Sequence, residues 1–161
     1  MSSTRASLTV IIPTLNEAAC LEQCIANVRA CLPTADLLIV DGGSQDNTIR
    51  IAHDLGVSTL TSETGRGLQL DTGAQNVSSD LMLFLHVDTL LPPNADELLQ
   101  QFFEASENRV ATFRLAFDQS NWFLHICAWF TRFDSVFTRF GDQGIAITKA
   151  FYQHIGGFPR W

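Results

Sequence analysis

DLMLFLHVDT, residues 80–89, decides how this chain folds. Large apolar residues stand in an unbroken row from Leu81 to Leu85, and the row then gives way to His86, Val87 and Asp88. Apolar residues at successive rather than alternating positions fit a strand buried on both faces. Such a strand lies inside a sheet that helices cover. In open α/β sheets, ligands bind where the carboxyl ends of the strands meet their loops. Asp88 falls at that end. It stands there either as an oxygen ligand for a hard divalent cation or as the cap of the next turn.

Outward from this strand, strand and helix signals alternate. Upstream, Leu8–Ile12 reads as a first strand that Pro13 and Thr14 end. Asn16 is expected to cap a helix running to about Cys31, with Glu17 in its first turn and Leu21, Ile25, Val28 and Leu32 on its inner stripe. A second strand, Asp36–Val40, runs into Asp41, Gly42, Gly43 and Ser44. Asp46 or Asn47 then opens a helix that Gly56 closes. Val57–Leu60 is a short third strand, followed by a polar loop with Gly65, Arg66 and Gly67 and a helix over Leu68–Val77. Downstream of the central strand, Pro92, Pro93 and Asn94 introduce another helix. A strand near an edge is expected over Val110–Phe117, a helix over Asn121–Phe137, a turn over Gly141–Gly144, a strand over Ile145–Thr148 and a helix over Ala150–Ile155. The alternation predicts an α/β fold: a mostly parallel central sheet with helices on both faces. The ligand site should gather three strand ends, Pro13–Glu17, Asp41–Asp46 and His86–Asp88.

Composition excludes several classes. The 161 residues suit one domain, and 46% of them are hydrophobic, enough for a sizeable core. The formal net charge is −7 and Lys149 is the only lysine, which argues against nucleic-acid binding. A phosphate-bearing ligand would have to rely on a few arginines, backbone amides or a metal. The N-terminus lacks a secretory signal and no run reaches membrane-spanning length, so a cytoplasmic protein is expected. Cys20, Cys24, Cys31 and Cys127 form no disulfide pattern and read as small buried thiols. No G-x-G-x-x-G follows the first strand, which disfavours a nicotinamide-dependent oxidoreductase, and no Walker lysine motif is present.

The ordered motifs IIPTLNE, IVDGGSQDNT, GRGLQ and LFLHVDT, with the later GDQGIAITKAFYQHIGGFP, resemble an inverting family 2 glycosyltransferase of the GT-A fold, a nucleotide-diphospho-sugar transferase fold. Within it they are most similar to the bacterial subgroup found near radical-SAM and selenium-related domains. The resemblance spans essentially the whole chain. It implies that Pro13, Thr14, Asn16 and Glu17 border the nucleotide and that Asp41 binds its base or ribose. It implies that Arg66, Gly67 and Gln69 lie near the ribose and diphosphate, a role that a guanidinium suits because it pairs phosphate through two hydrogen bonds. Read alone, Arg66 is better explained as a solvated loop cation. Asp88 corresponds to the metal-binding acid of the aspartate-x-aspartate motif. His86 replaces the first aspartate of that motif, and stands either as a contact to nucleotide or metal or as a hydrogen-bonded core histidine.

The implied reaction moves a sugar from a nucleotide-sugar donor, most commonly a UDP-sugar, to an acceptor hydroxyl with inversion, assisted by Mg2+ or Mn2+. Family members place the catalytic base on an acidic pair beyond the GGFP segment, and this chain stops at Arg160 and Trp161. The chain is therefore expected to be a single domain over 1–161 lacking its C-terminal part. Asp142 is the remaining acid proposed for the base or for substrate binding. The missing pair keeps open a second function, a non-catalytic nucleotide-sugar-binding or assembly subunit. Trp122, Ile126, Trp129, Phe133, Phe137 and Phe140 recur at helical steps. They form either a core-facing helix or a surface for self-association, a lipid-linked acceptor or the inner face of a membrane.

Overall fold

The computed structural model describes residues 6–104, 110–113 and 144–158. The helix expected over 121–137, its aromatic stretch, Cys127 and Asp142 lie outside the described residues.

Among the described residues, one six-stranded sheet has the order β3-β2-β1-β4-β6-β5. Its strands are β1 (Leu8–Thr14), β2 (Asp36–Asp41), β3 (Ser58–Thr61), β4 (Leu81–Phe84), β5 (Val110–Thr112) and β6 (Ile145–Thr148). β1 pairs in parallel with both β2 and β4, and β2 in parallel with β3. β6 runs antiparallel to β4, with Phe84 opposite Ile145, and β5 antiparallel to β6. The sheet is thus mostly parallel, and β5 stands last in the order, as the partial alternation of Val110–Phe117 predicts.

The unbroken apolar runs are explained by the two sides of the sheet. Successive strand residues point to opposite faces. Val10 and Ile12 of β1, Ile39 of β2 and Leu83 of β4 join one core with α1 (Leu21–Cys31), α2 (Thr48–Asp54) and α4 (Ala95–Glu104). Ile11, Leu38, Val40, Met82 and Phe84 join a second core with α3 (Arg66–Asn76) and α5 (Lys149–His154). Fully burying each such Ile or Leu side chain contributes about 1.5–3 kcal/mol. α3 lies close against the strands because it carries Gly73. A Cβ there would meet Ile11 Cγ2 at 2.5 Å.

Two local expectations are corrected. Asn16 does not cap α1. The helix starts at Leu21, and Asn16 adopts a left-handed φ of 58° within the preceding loop. Its side chain is used across loops instead of along the helix. Arg66 and Gly67 are not loop residues: they are the first two residues of α3, with Gly65 before them. No described helix is long and apolar enough to cross a membrane.

Candidate functional site at the sheet's switch point

From β1 the chain steps outward to β2 and β3, then returns to the other side of β1 as β4. Strand order reverses between β1 and β4. A crevice opens beyond the carboxyl ends of strands at such a reversal. A cleft of about 290 Å³ lies here. Pro13 from the end of β1 and Leu85 and His86 from beyond β4 line it, together with Arg66 and Gly67 from the first turn of α3. Leu70, Phe84, Ile145 and Phe158 supply an apolar wall. The fold therefore brings Pro13, Arg66, Gly67 and His86 to one cleft, from three separate stretches of sequence.

Thr14, Asp41 and Gln69 lie beneath the neighbouring loops; all are buried. Asp41 Oδ2 accepts from the N–H groups of Gly43 and Ser44 at 2.9 and 2.8 Å, and Oδ1 accepts from the Thr14 and Ser44 hydroxyls. Burial pushes this carboxyl up, but the Ser44, Gly43 and Thr14 donors outweigh it and hold the group below the ordinary aspartate value. Gln69 Nε2 donates to the carbonyls of Thr14 and Val40, both at 2.8 Å, and so ties the ends of β1 and β2 to α3. The Thr64 hydroxyl donates to the Gly42 carbonyl at 2.6 Å.

The loops after β1 and β2 are laced to each other. The Asn16 N–H donates to Ser44 Oγ at 2.8 Å, and Asn16 Oδ1 accepts from the Gln45 N–H at 2.8 Å. The Glu17 N–H donates to Thr48 Oγ1 at 2.8 Å, and the Ala18 N–H to Asp46 Oδ2 at 3.1 Å. Asn16 and Glu17 thus border the turn that Asp41 holds.

His86 and Asp88 form the third part. Asp88 Oδ1 stands 3.3 Å from His86 Nδ1, with the carboxylate side chain 65% exposed and the imidazole 23%. His86 Nδ1 is buried without a hydrogen-bond partner among the described residues, so the pair is close but not aligned for a hydrogen bond. Of the two, the exposed Asp88 carboxylate is the one whose oxygens a hard cation can reach. No group of three or more His, Cys, Asp or Glu side chains suited to a metal occurs among the described residues. A cation here would therefore depend on the ligand's own oxygens, as Mg2+ sites with substrate phosphates do. Beneath the pair, the Cys24 thiol meets the His86 carbonyl at 4.0 Å. Burial, then the charges of Asp88 and Cys20, push this thiol up to about 12, so it stays protonated.

Sequence reasoning missed the apolar wall of Leu70, Phe84, Ile145 and Phe158. It also missed the polar partners Thr48 and Thr64, which lie beyond the Asp41–Asp46 stretch. Phe158 sits in the GGFP segment and Thr48 in the GGSQDNT loop, so the residues were in view. The partners that count here, Glu17 for Thr48 and Gly42 for Thr64, lie 31 and 22 residues away in sequence.

Comparison with known proteins bears on the fold. A mannosyltransferase, PcManGT from Pyrobaculum calidifontis in complex with GDP-Man and Mn2+, superposes with a TM-score of 0.71 at 19% identity, over 98% of this chain and 48% of that one. TarS from S. aureus (residues 1–349) gives 0.70 at 13% identity, over 95% and 50%. Glucosyl-3-phosphoglycerate synthase from Mycobacterium tuberculosis in complex with UDP gives 0.67 at 20% identity, over 90% and 57%. The chain thus spans about half the length of these structures, and shares with them the GT-A fold. The family model described as Glycosyl transferase family 2 matches residues 9–154, and the chain belongs to that family.

Proposed function

We propose that this chain carries the donor half of a glycosyltransferase, binding a nucleoside-diphosphate sugar at the cleft between β1 and β4. The observation that carries the reading is the convergence of Arg66, Pro13 and His86 on one cleft at the strand reversal, with Asp88 beside it. The family match and the nucleotide-bound structures of similar fold support it. Thr14, Asn16, Glu17 and Asp41 would present the nucleotide's base and ribose with a shaped turn. Arg66, with Gly67 and Gln69 at the start of α3, would meet the ribose and diphosphate.

Asp88 would hold Mg2+ or Mn2+, with His86 beside it at the nucleotide. When bound, the cation supplies Lewis-acid neutralisation of the departing diphosphate. The chain's own groups do the remainder. Arg66 pairs phosphate oxygens through two hydrogen bonds. Leu70, Phe84 and Ile145 would give the bound donor an apolar wall. The acceptor hydroxyl attacks that carbon from the face opposite the leaving group, with inversion. The bond to the diphosphate breaks, a bond to the acceptor oxygen forms, and the hydroxyl proton passes to a carboxylate. We assign that carboxylate to Asp142, which lies outside the described residues. Within the family, the motif set is read as that of the subgroup found near radical-SAM and selenium-related domains. A UDP-sugar donor, a cytoplasmic location, a lipid-linked or membrane-peripheral acceptor and self-association through the aromatic stretch complete the reading, each carried by sequence alone.

The test is a panel of UDP- and GDP-sugars with and without Mn2+, scored for thermal stabilisation and for release of nucleoside diphosphate. A ligand that binds the folded state raises the melting temperature by mass action. Stabilisation with turnover is expected. Stabilisation without release would assign a binding subunit. No stabilisation by any member would overturn the site.

A further inference from the structure

The segment carrying Asp88 leaves β4 and reaches Pro92 and Pro93 without joining the sheet. Its start is fixed by the strand: the Leu85 N–H donates to the Ile11 carbonyl at 3.1 Å, and the Thr89 N–H folds back onto the His86 carbonyl at 3.1 Å. Its end has no such ladder. Leu91 is buried, and the prolines after it have no N–H to offer. Buried backbone groups nonetheless need partners.

Helix α1 provides them. Asn27 Oδ1 accepts from the Leu91 N–H at 2.7 Å, and Asn27 Nδ2 donates to the Leu91 carbonyl at 3.2 Å. The Cys31 thiol meets the same carbonyl at 3.5 Å. One turn earlier, the Cys24 thiol meets the His86 carbonyl. Residues 24, 27 and 31 lie three and four apart, so they share one helix face. That face grips both ends of the segment. Asp88 stands between the grips. Its carboxylate meets His86 Nδ1 at 3.3 Å and the Thr89 hydroxyl at 3.4 Å, both within its own segment. The direction of the carboxylate is therefore set by the backbone that α1 holds.

We propose that Asn27 is a positioning residue for Asp88, acting through Leu91. The inference rests on the reading that Asp88 serves a cation at a nucleoside diphosphate. A carboxamide accepts from the Leu91 N–H with its oxygen and donates to the Leu91 carbonyl with its nitrogen at the same time. Aspartate has the same shape but no donor, and its charge repels the Leu91 carbonyl.

The test measures UDP and GDP affinity with and without Mn2+, using whichever nucleotide the parent binds more tightly. Asn27→Asp, and Asn27→Ala as a variant that adds no charge, should each lose about 10-fold or more of the Mn2+-dependent gain. Affinity without Mn2+ should stay at the parent value, which a general loss of structure would not allow. Asp88→Ala is the control. If Asp88→Ala loses the Mn2+ gain while both Asn27 variants keep it, the inference alone is overturned. If Asp88→Ala keeps the gain, the site reading falls and the inference with it. Should Asn27→Asp fail to fold, Asn27→Ala decides between the same outcomes.

Discussion

Tyr152 donates its hydroxyl to Asp71 Oδ1 at 3.0 Å, although 81 residues separate them in sequence. The same hydroxyl accepts from the Phe158 N–H at 3.2 Å. One oxygen thus links α3, α5 and the apolar wall of the cleft. The ring of Phe158 also stacks edge-on to Phe84, with centroids 5.0 Å apart.

Tyr152→Phe removes that oxygen and keeps the ring. It takes one donor from the buried Asp71 carboxylate and one acceptor from the Phe158 N–H. A loss of about 1–3 kcal/mol in unfolding free energy is expected. Urea denaturation with an unchanged slope would register it. A variant as stable as the parent would mean that ring packing alone holds the Phe158 segment.

Arg66→Ala should separate diphosphate from nucleoside. Hydrogen bonds to charged groups contribute about 1.5–3 kcal/mol, so affinity for UDP or GDP should fall about 10-fold or more. Affinity for uridine or guanosine should not change. Calorimetry on the four ligands makes the comparison, and equal losses would remove Arg66 from the diphosphate.

Asp41 ties stability to pH. Its carboxyl is held below the ordinary value of 3.8 in the folded chain. The unfolded chain therefore binds the proton more readily. The stabilisation is fully present above the unfolded value and is lost as pH falls through the folded one. Asp41→Asn should flatten the decline in melting temperature below about pH 4. At pH 7 it should cost about 1–3 kcal/mol, because one amide group faces donors with a donor. An acid limb as steep as the parent's would assign the loss to other carboxyl groups.

Gly73→Ala sets two effects against each other. Alanine in a helix interior is favoured over glycine by about 1 kcal/mol. The added methyl would meet Ile11 Cγ2 at 2.5 Å and Val40 Cγ2 at 3.1 Å, both in the centre of the sheet. Overpacking of that kind costs about 1–3 kcal/mol, so net destabilisation is expected. Chemical denaturation gives the sign directly, and a stabilised variant would show that α3 can lift from the sheet.

Much of this was legible in the sequence, for identifiable reasons. The runs Leu8–Ile12, Asp36–Val40 and Leu81–Leu85 are apolar on both alternating faces, and only a doubly covered strand needs that. Pro13, His86 and Asp88 were legible as residues at or just beyond strand ends, because strand ends are readable once the strands are. Asn16 was misread because a polar side chain before a helix usually caps it, whereas here its partners lie in the β2 loop. Arg66 was misread because two flanking glycines argue for a loop, while the start of a helix tolerates them. Gln69 and Asn27 bond to backbone groups brought near only by the fold. No local pattern marks a side chain whose partner is a distant carbonyl.

The lacing of Asn16, Glu17 and Ala18 to Ser44, Gln45, Thr48 and Asp46 bears on the entropy of binding. A ligand that must order two loops loses part of its affinity to their lost freedom. Here the loops after β1 and β2 are already joined to each other, so a nucleotide meeting them finds little left to freeze. Association at that side should be rapid, and its heat capacity change small for the surface covered. The Asp88 segment differs, since it is gripped only near its ends.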